Sequence, residues 1–194
     1  MPTDTQTDFP GIIIRLRNPN ESVVFPSIVK EALAKINSKP IGKSLLEEIV
    51  KLQDRAKFGY TVCIMRPNGL AVEEKNDGKG PQWNSGSVAK RANELDAIDP
   101  KKGTPTAVTW NANMIETPDG PRPAFIALAH ELIHALYNLK GEAYDDASWE
   151  EYCTVGLPPV ADRRAVNENL IRAEHGVARR IAYGGLDAPN LANA

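Results

Sequence analysis

The amino-acid sequence predicts an α+β domain: a small N-terminal sheet with helices, a long central helix and a helical C-terminal part. Two patterns predict this. Short β-branched runs at 11–17, 60–65 and 106–111 read as strands. Apolar residues recur at helical spacing over 26–36, 44–56 and 122–139, which places amphipathic helices between and after the strands. A chain of 194 residues is long enough to bury a real core in one domain.

Composition narrows the class. Hydrophobic residues make up 42% and charged residues 25%, an ordinary balance for a globular chain. A net charge of −2 gives no basic field for nucleic acid. No apolar run approaches membrane-spanning length, and Met1–Asp8 lacks the apolar core of a secretory signal. Neither nucleic acid nor membrane is therefore an expected partner, and a monomer is expected. Cys63 and Cys153 are two cysteines, too few for a disulfide scaffold.

Residues 1–10, rich in Thr, Asp and Gln, are expected to be disordered. The domain then runs over 11–186, with a flexible tail at 187–194. The first strand covers 11–17, and Asn18-Pro19-Asn20 is turn chemistry. Pro26 and Ser27 open a helix carrying Ile28, Val29, Ala32, Leu33 and Ile36, which Pro40 punctuates. A second helix is expected from Ser44, where Ser44 and Glu47 have capping-box spacing. Gly42-Lys43-Ser44 is no phosphate loop, because the earlier glycine is Asn37. The second strand covers 60–65, with 70–73 as a possible hairpin partner. Residues 74–103 read as a surface excursion with a short helix over 87–98. The third strand, 106–111, is either an ordinary structural strand or a sheet edge lining a cleft, able to pair with an extended peptide.

The helix at 122–139 has an apolar stripe of Phe125, Leu128, Leu132, Leu136 and Leu139. His130 and His134 lie off that stripe, within His130-Glu131-Leu132-Ile133-His134, an H-E-x-x-H arrangement. His130 and His134, four positions apart, project from one helix face one turn apart. Both can reach a single tetrahedral Zn²⁺. Glu131 stands beside them, where its carboxylate can take a proton from metal-bound water. A catalytic zinc needs a third protein ligand and one open position. The candidates are His175, the one other histidine, and the acidic pair Glu150-Glu151 in a segment of aromatic and β-branched residues.

H-E-L-I-H-A at 130–135 followed by E-E-Y-C-T-V-G at 150–156 resembles the NleD-like family of zinc metallopeptidase effectors delivered by bacterial secretion systems. More distantly, the same pieces are similar to clostridial neurotoxin light chains. The resemblance covers about 105–183 and implies a zincin-like domain. It implies that His130, His134 and Glu151 are the zinc ligands, Glu131 the general base, and Glu150 a supporting group around the ligands, with Thr154 as a further acceptor. It also pairs Arg180 and Tyr183, at R-x-x-Y spacing, as donors to the reaction's oxyanion, with Glu168 orienting the arginine. Glu168-Asn169-Leu170-Ile171-Arg172 matches the family's E-N-x-x-R, and His175 has no place in the pattern. The implied activity is zinc-dependent cleavage of a host protein, with a signalling protein as the candidate substrate, in the host cytoplasm after secretion. Two other readings are a zinc-stapled binding module without proteolysis and an antibacterial toxin domain of the same chemistry.

Overall fold

Ile12, Ile13 and Ile14 are all buried, as are Val62, Cys63 and Ile64. Three consecutive buried residues mean strands covered on both faces, as the inner strands of a parallel sheet are. A computed structural model describes residues 2–17, 24–67, 87–117, 120–184 and 186–189. Strands β1 (Thr3–Gln6), β2 (Ile12–Leu16), β3 (Val62–Met65), β4 (Val88–Arg91) and β5 (Thr106–Thr109) form one sheet in the order β1-β2-β3-β5-β4. The three inner strands run parallel, and the two edge strands are antiparallel to their neighbours. A short hairpin, β6 (Glu116–Thr117) and β7 (Gly120–Pro121), leads toward the central helix.

Helices α1 (Val24–Asn37) and α2 (Pro40–Lys51) make the crossover from β2 to β3. One helical turn, α3 (Glu94–Ala97), follows β4. The central helix, α4 (Ala124–Lys140), is buried at every residue from Ile126 to Leu139. It packs on α1, α2, β4 and β5, so its whole circumference is covered rather than one stripe. Gly141 ends it at φ 71°, where an added Cβ would sit 1.9 Å from the Asp99 carbonyl oxygen. No L side chain fits that turn without moving backbone. Two short helices follow, α5 (Ala147–Val155) and α6 (Glu168–Glu174), capped by the side chains of Asp146 and Asn167. Among the described residues no helix is long and apolar enough to cross a membrane.

Several expectations change. Thr3–Gln6, within the segment expected to be disordered, is strand β1. Its register with β2 is pinned by Asp4, which accepts two bonds from Arg15 at 2.7 and 2.8 Å. Cross-strand pairing supplied what polar composition could not show. Helix α2 starts at Pro40, not Ser44. Proline is favoured at the first helical position, where its missing N–H is no loss. The cap comes from far away: Glu174 of α6 accepts from the N–H groups of Ile41 (2.7 Å) and Gly42 (2.9 Å). Residues 88–91 are a strand rather than helix, and the third strand signal, β5, is interior to the sheet. The edge is β4. The hairpin partner expected at 70–73 lies outside the described residues.

Candidate metal centre

His130 and His134 lie on consecutive turns of α4, with their Nε2 atoms 3.1 Å apart. Helix α5 crosses beneath and presents Glu151, whose Oε2 is 3.2 Å from His130 Nε2 and 3.5 Å from His134 Nε2. These three ligand atoms are mutually within 4.8 Å. The opposite ring nitrogens are already engaged. His130 Nδ1 is 2.8 Å from Glu168 Oε2, and His134 Nδ1 is 2.6 Å from Glu150 Oε1. A carboxylate can only accept, so each Nδ1 carries the proton in neutral imidazole, and each Nε2 presents a lone pair.

Three acceptors therefore converge on one point. Glu151 Oε2 is buried and makes no hydrogen bond there. Two imidazole nitrogens and a carboxylate oxygen, lone pairs facing, repel unless a cation sits among them. The same surplus shows in the titration of the group. Burial alone would lower the His134 pKa, but Glu151 and Glu150 overcome it and raise it to about 10. Two acids of the site are answered by arginines, Glu150 by Arg164 at 2.6 Å and Glu168 by Arg172 at 2.5 Å. Glu151 is answered by no arginine among the described residues; it meets the two histidines and lies near the Tyr183 phenol. The donor set thus fits a divalent ion of the N,N,O type.

Glu131 is 4% exposed. Burial pushes its carboxyl up from the usual range, while the neighbouring histidines pull down. It lines a cleft with His130, His134, Glu150, Glu151 and Tyr183. The cleft is also lined by Val88, Ala89 and Arg91 of edge strand β4. Helix α4 packs against this strand directly, so the sheet edge and the histidines share the cleft.

The C-terminal segment also converges here. Asn169 brackets Arg180, accepting from its N–H at 2.8 Å and donating to its carbonyl at 3.0 Å. The Arg180 side chain reaches Glu168 Oε2 at 3.5 Å and lies 4.6 Å from the Tyr183 ring centre. The Tyr183 ring stacks 6.2 Å from that of His130. Burial and the nearby Glu151 carboxylate hold the Tyr183 phenol protonated, far above its usual range. Residues 177–183 are irregular, and Arg180 and Tyr183 owe their placement to Asn169 and to packing rather than to a helix. His175 stands apart, its ring 4.8 Å from and edge-on to Phe125.

One member of the site carries no sequence signal. Arg164 lies in the irregular stretch between α5 and α6 and is 3% exposed. Its guanidinium donates to Glu150 Oε2 and to Thr154 Oγ1, and it sits 4.1 Å from the Tyr137 ring centre. Both of its partners touch His134 Nδ1, Thr154 at 3.3 Å. Nothing in Ala161-Asp162-Arg163-Arg164 distinguishes it from a surface arginine.

A model of the Peptidase M91 family, described as effector protein, matches residues 16–183. No match is found among curated proteins. Among solved structures, the catalytic domain of Clostridium botulinum neurotoxin serotype F is similar at TM-score 0.55 and 17% identity, covering 84% of this chain and 58% of that one. The serotype F light chain is similar at TM-score 0.46 and 18% identity, covering 68% and 46%. The botulinum type G light chain follows at TM-score 0.49 and 15% identity, covering 91% and 61%. The chain therefore spans 45% to 61% of the light chains it matches. At these identities the likeness is one of fold, and the α+β architecture is zincin-like.

Proposed function

This chain belongs to the Peptidase M91 effector family, and we propose that it is a zinc-dependent endopeptidase, delivered by a bacterial secretion system, that cuts a host protein in the cytoplasm. Family and fold point to a metallopeptidase. The observation that carries the finer reading is the convergence of His130 Nε2, His134 Nε2 and Glu151 Oε2 beside the buried Glu131.

His130, His134 and Glu151 would hold the zinc. When bound, zinc supplies Lewis acidity, bringing the proton of a water within reach of a carboxylate base and polarising the scissile carbonyl. Glu131 is that base. Its carboxyl, pushed upward by burial, takes the proton from water and later delivers one to the leaving amine. Arg180 and Tyr183 donate hydrogen bonds to the developing oxyanion, each worth about 3–4 kcal/mol in comparable sites. Glu168 serves both halves of the chemistry, since its Oε2 orients His130 and faces Arg180. Glu150 and Thr154, held by Arg164, orient His134. The substrate lies extended along β4, the sheet edge lining the cleft, where backbone pairing holds a peptide without regard to its sequence. The substrate is a host protein, a signalling protein being the reading its family resemblance suggests.

The test pairs metal analysis with identification of new N-termini in host lysate, wild type against Glu131→Gln. Wild type should carry one zinc and generate new termini. Glu131→Gln should keep the zinc and lose the termini. Zinc in both proteins with new termini in neither would favour a zinc-stapled binding module instead.

A further inference from the structure

Three charged residues of the cleft outside the H-E-x-x-H run have partners. Glu150 faces Arg164 at 2.6 Å. Arg91 faces Glu94 at 3.0 Å and donates to the Tyr144 carbonyl at 2.8 Å. Glu151 faces the two histidines and completes the N,N,O set. Asp145 differs. It lines the same cleft and is exposed, and its carboxylate has no ion pair or hydrogen bond among the described residues. The chain on either side of it is nevertheless anchored. Tyr144 donates its N–H to Glu150 Oε2 at 2.9 Å, while its carbonyl is held by Arg91 of β4. Asp146 caps α5 by accepting from the Trp149 N–H at 2.9 Å. Asp145 thus stands between the sheet edge and the helix that carries Glu151, on a short connection tied to both. A carboxylate held in this way loses little freedom when it pairs with a ligand.

A second cleft residue has the same polarity. Asn138, one turn beyond His134 on α4, lines the cleft and is 1% exposed. Its Nδ2 donates to Thr106 Oγ1 at 3.0 Å, and its Oδ1 is buried without a hydrogen-bond partner. A buried acceptor kept without a donor costs stability. Both unanswered groups are therefore acceptors, and one of them carries a full negative charge. The side chains that bring only donors and a positive charge are those of Lys and Arg. An acidic side chain would meet Asp145 as a like charge and be disfavoured.

Resting on the endopeptidase reading above, we propose that Asp145 is a specificity residue that pairs with the side chain of a Lys or Arg adjoining the scissile bond. The substrate class is then a protein segment with a basic residue at the cut.

Two measurements on the full zinc-loaded chain test this. Asp145 is exposed, so its variants should fold. In the first measurement a proteome-derived peptide mixture is digested and the residues flanking each cut are read. Wild type should enrich Lys and Arg beside the cut about fivefold, and the enrichment should shrink at high salt. Asp145→Asn should lose it, and Asp145→Lys should turn it toward Asp and Glu. Cuts confined to the first bond of each peptide would assign Asp145 to the α-ammonium and overturn the side-chain assignment. The second measurement needs no cleavage. Calorimetric titration compares N-acetyl-lysine hydroxamate with N-acetyl-norleucine hydroxamate, which share a stem and differ in the ammonium. The hydroxamates of malonyl-lysine amide and malonyl-norleucine amide carry the side chain to the other side of the metal. On one side the lysine member should bind about fivefold more tightly, and Asp145→Asn should remove the difference with zinc content unchanged. Equal affinities on both sides, or a difference that survives Asp145→Asn, would overturn the proposal. Peptide cleavage without basic enrichment would also overturn it and leave the endopeptidase reading standing. A protein that prefers the lysine hydroxamate through Asp145 but cuts no peptide would overturn the endopeptidase reading, and the cation site would stand.

Discussion

Glu168 Oε2 lies 2.8 Å from His130 Nδ1, joining residues 38 positions apart. The glutamate is fully buried, and its other oxygen accepts from Arg172 at 2.5 Å. The contact fixes the tautomer and the aim of the imidazole, which leaves Nε2 facing the metal position. Glu168→Gln keeps the shape but removes the charge. Metal affinity should fall about 10–100-fold, read by competition with a chelating dye, and Arg172, left buried without an anion, should lower the urea midpoint as well.

The adjacent acids Glu150 and Glu151 should separate cleanly. Glu151→Ala removes the acceptor that has no arginine, so it should lose zinc, and the metal-free fold should lose only the stability that comes from Glu151 holding His134 protonated. Glu150→Ala strands Arg164, which is 3% exposed, and should cost on the order of 3–5 kcal/mol of stability with zinc weakened rather than lost. Metal analysis and urea unfolding on both variants check this. The reverse pattern would exchange their roles.

Arg164→Met should act on the metal from a distance. The variant leaves Glu150 buried with His134 and the Tyr144 N–H as its partners but no counter-charge from an arginine, and Thr154 keeps only its contact with His134. Cobalt substituted for zinc reports ligand geometry directly, so its visible absorption bands should shift and its affinity should drop about 10–100-fold. Unchanged cobalt spectra would confine Arg164 to holding α5 against α4.

Arg180→Ala and Tyr183→Phe should lower kcat with zinc content unchanged, by about 10²–10³-fold for a lost oxyanion donor. A change in KM alone would make either one a binding group.

The pH dependence of the metal-free protein follows from Glu168. Burial acts to raise its pKa, but His130, Arg172 and Arg180 prevail and hold it at about 2, against 4.5 for an ordinary glutamate. A depressed carboxylate stabilises the fold fully above 4.5, and that contribution is lost as pH falls toward 2. His134, raised to about 10 from 6.5, contributes in the opposite sense: fully below 6.5, and lost as pH rises through 10. Urea midpoints should therefore fall at both ends, and Glu168→Gln should flatten the acid limb.

Much of this was legible in the sequence because it is local. The pitch of an α-helix places His130 and His134 together whatever surrounds them. The β-branched runs at β2, β3 and β5 declare strands, and Gly141 ends α4 because its backbone must turn left-handed. The family resemblance further drew Glu151, Glu168, Arg180 and Tyr183 into the candidate set. Other features depend on partners far along the chain. A polar stretch became strand β1 because β2 offered an open edge and Arg15 a partner for Asp4. The start of α2 is capped by Glu174, more than 130 residues away. Sheet order put β4 rather than β5 at the cleft. Arg164 has no motif; it is defined by the carboxylate it meets. Periodicity and spacing report what a residue does within its own turn of helix or run of strand. Pairing, burial of charge and choice of edge are settled only when distant segments compete for the same neighbours, and here that competition completed the candidate metal centre.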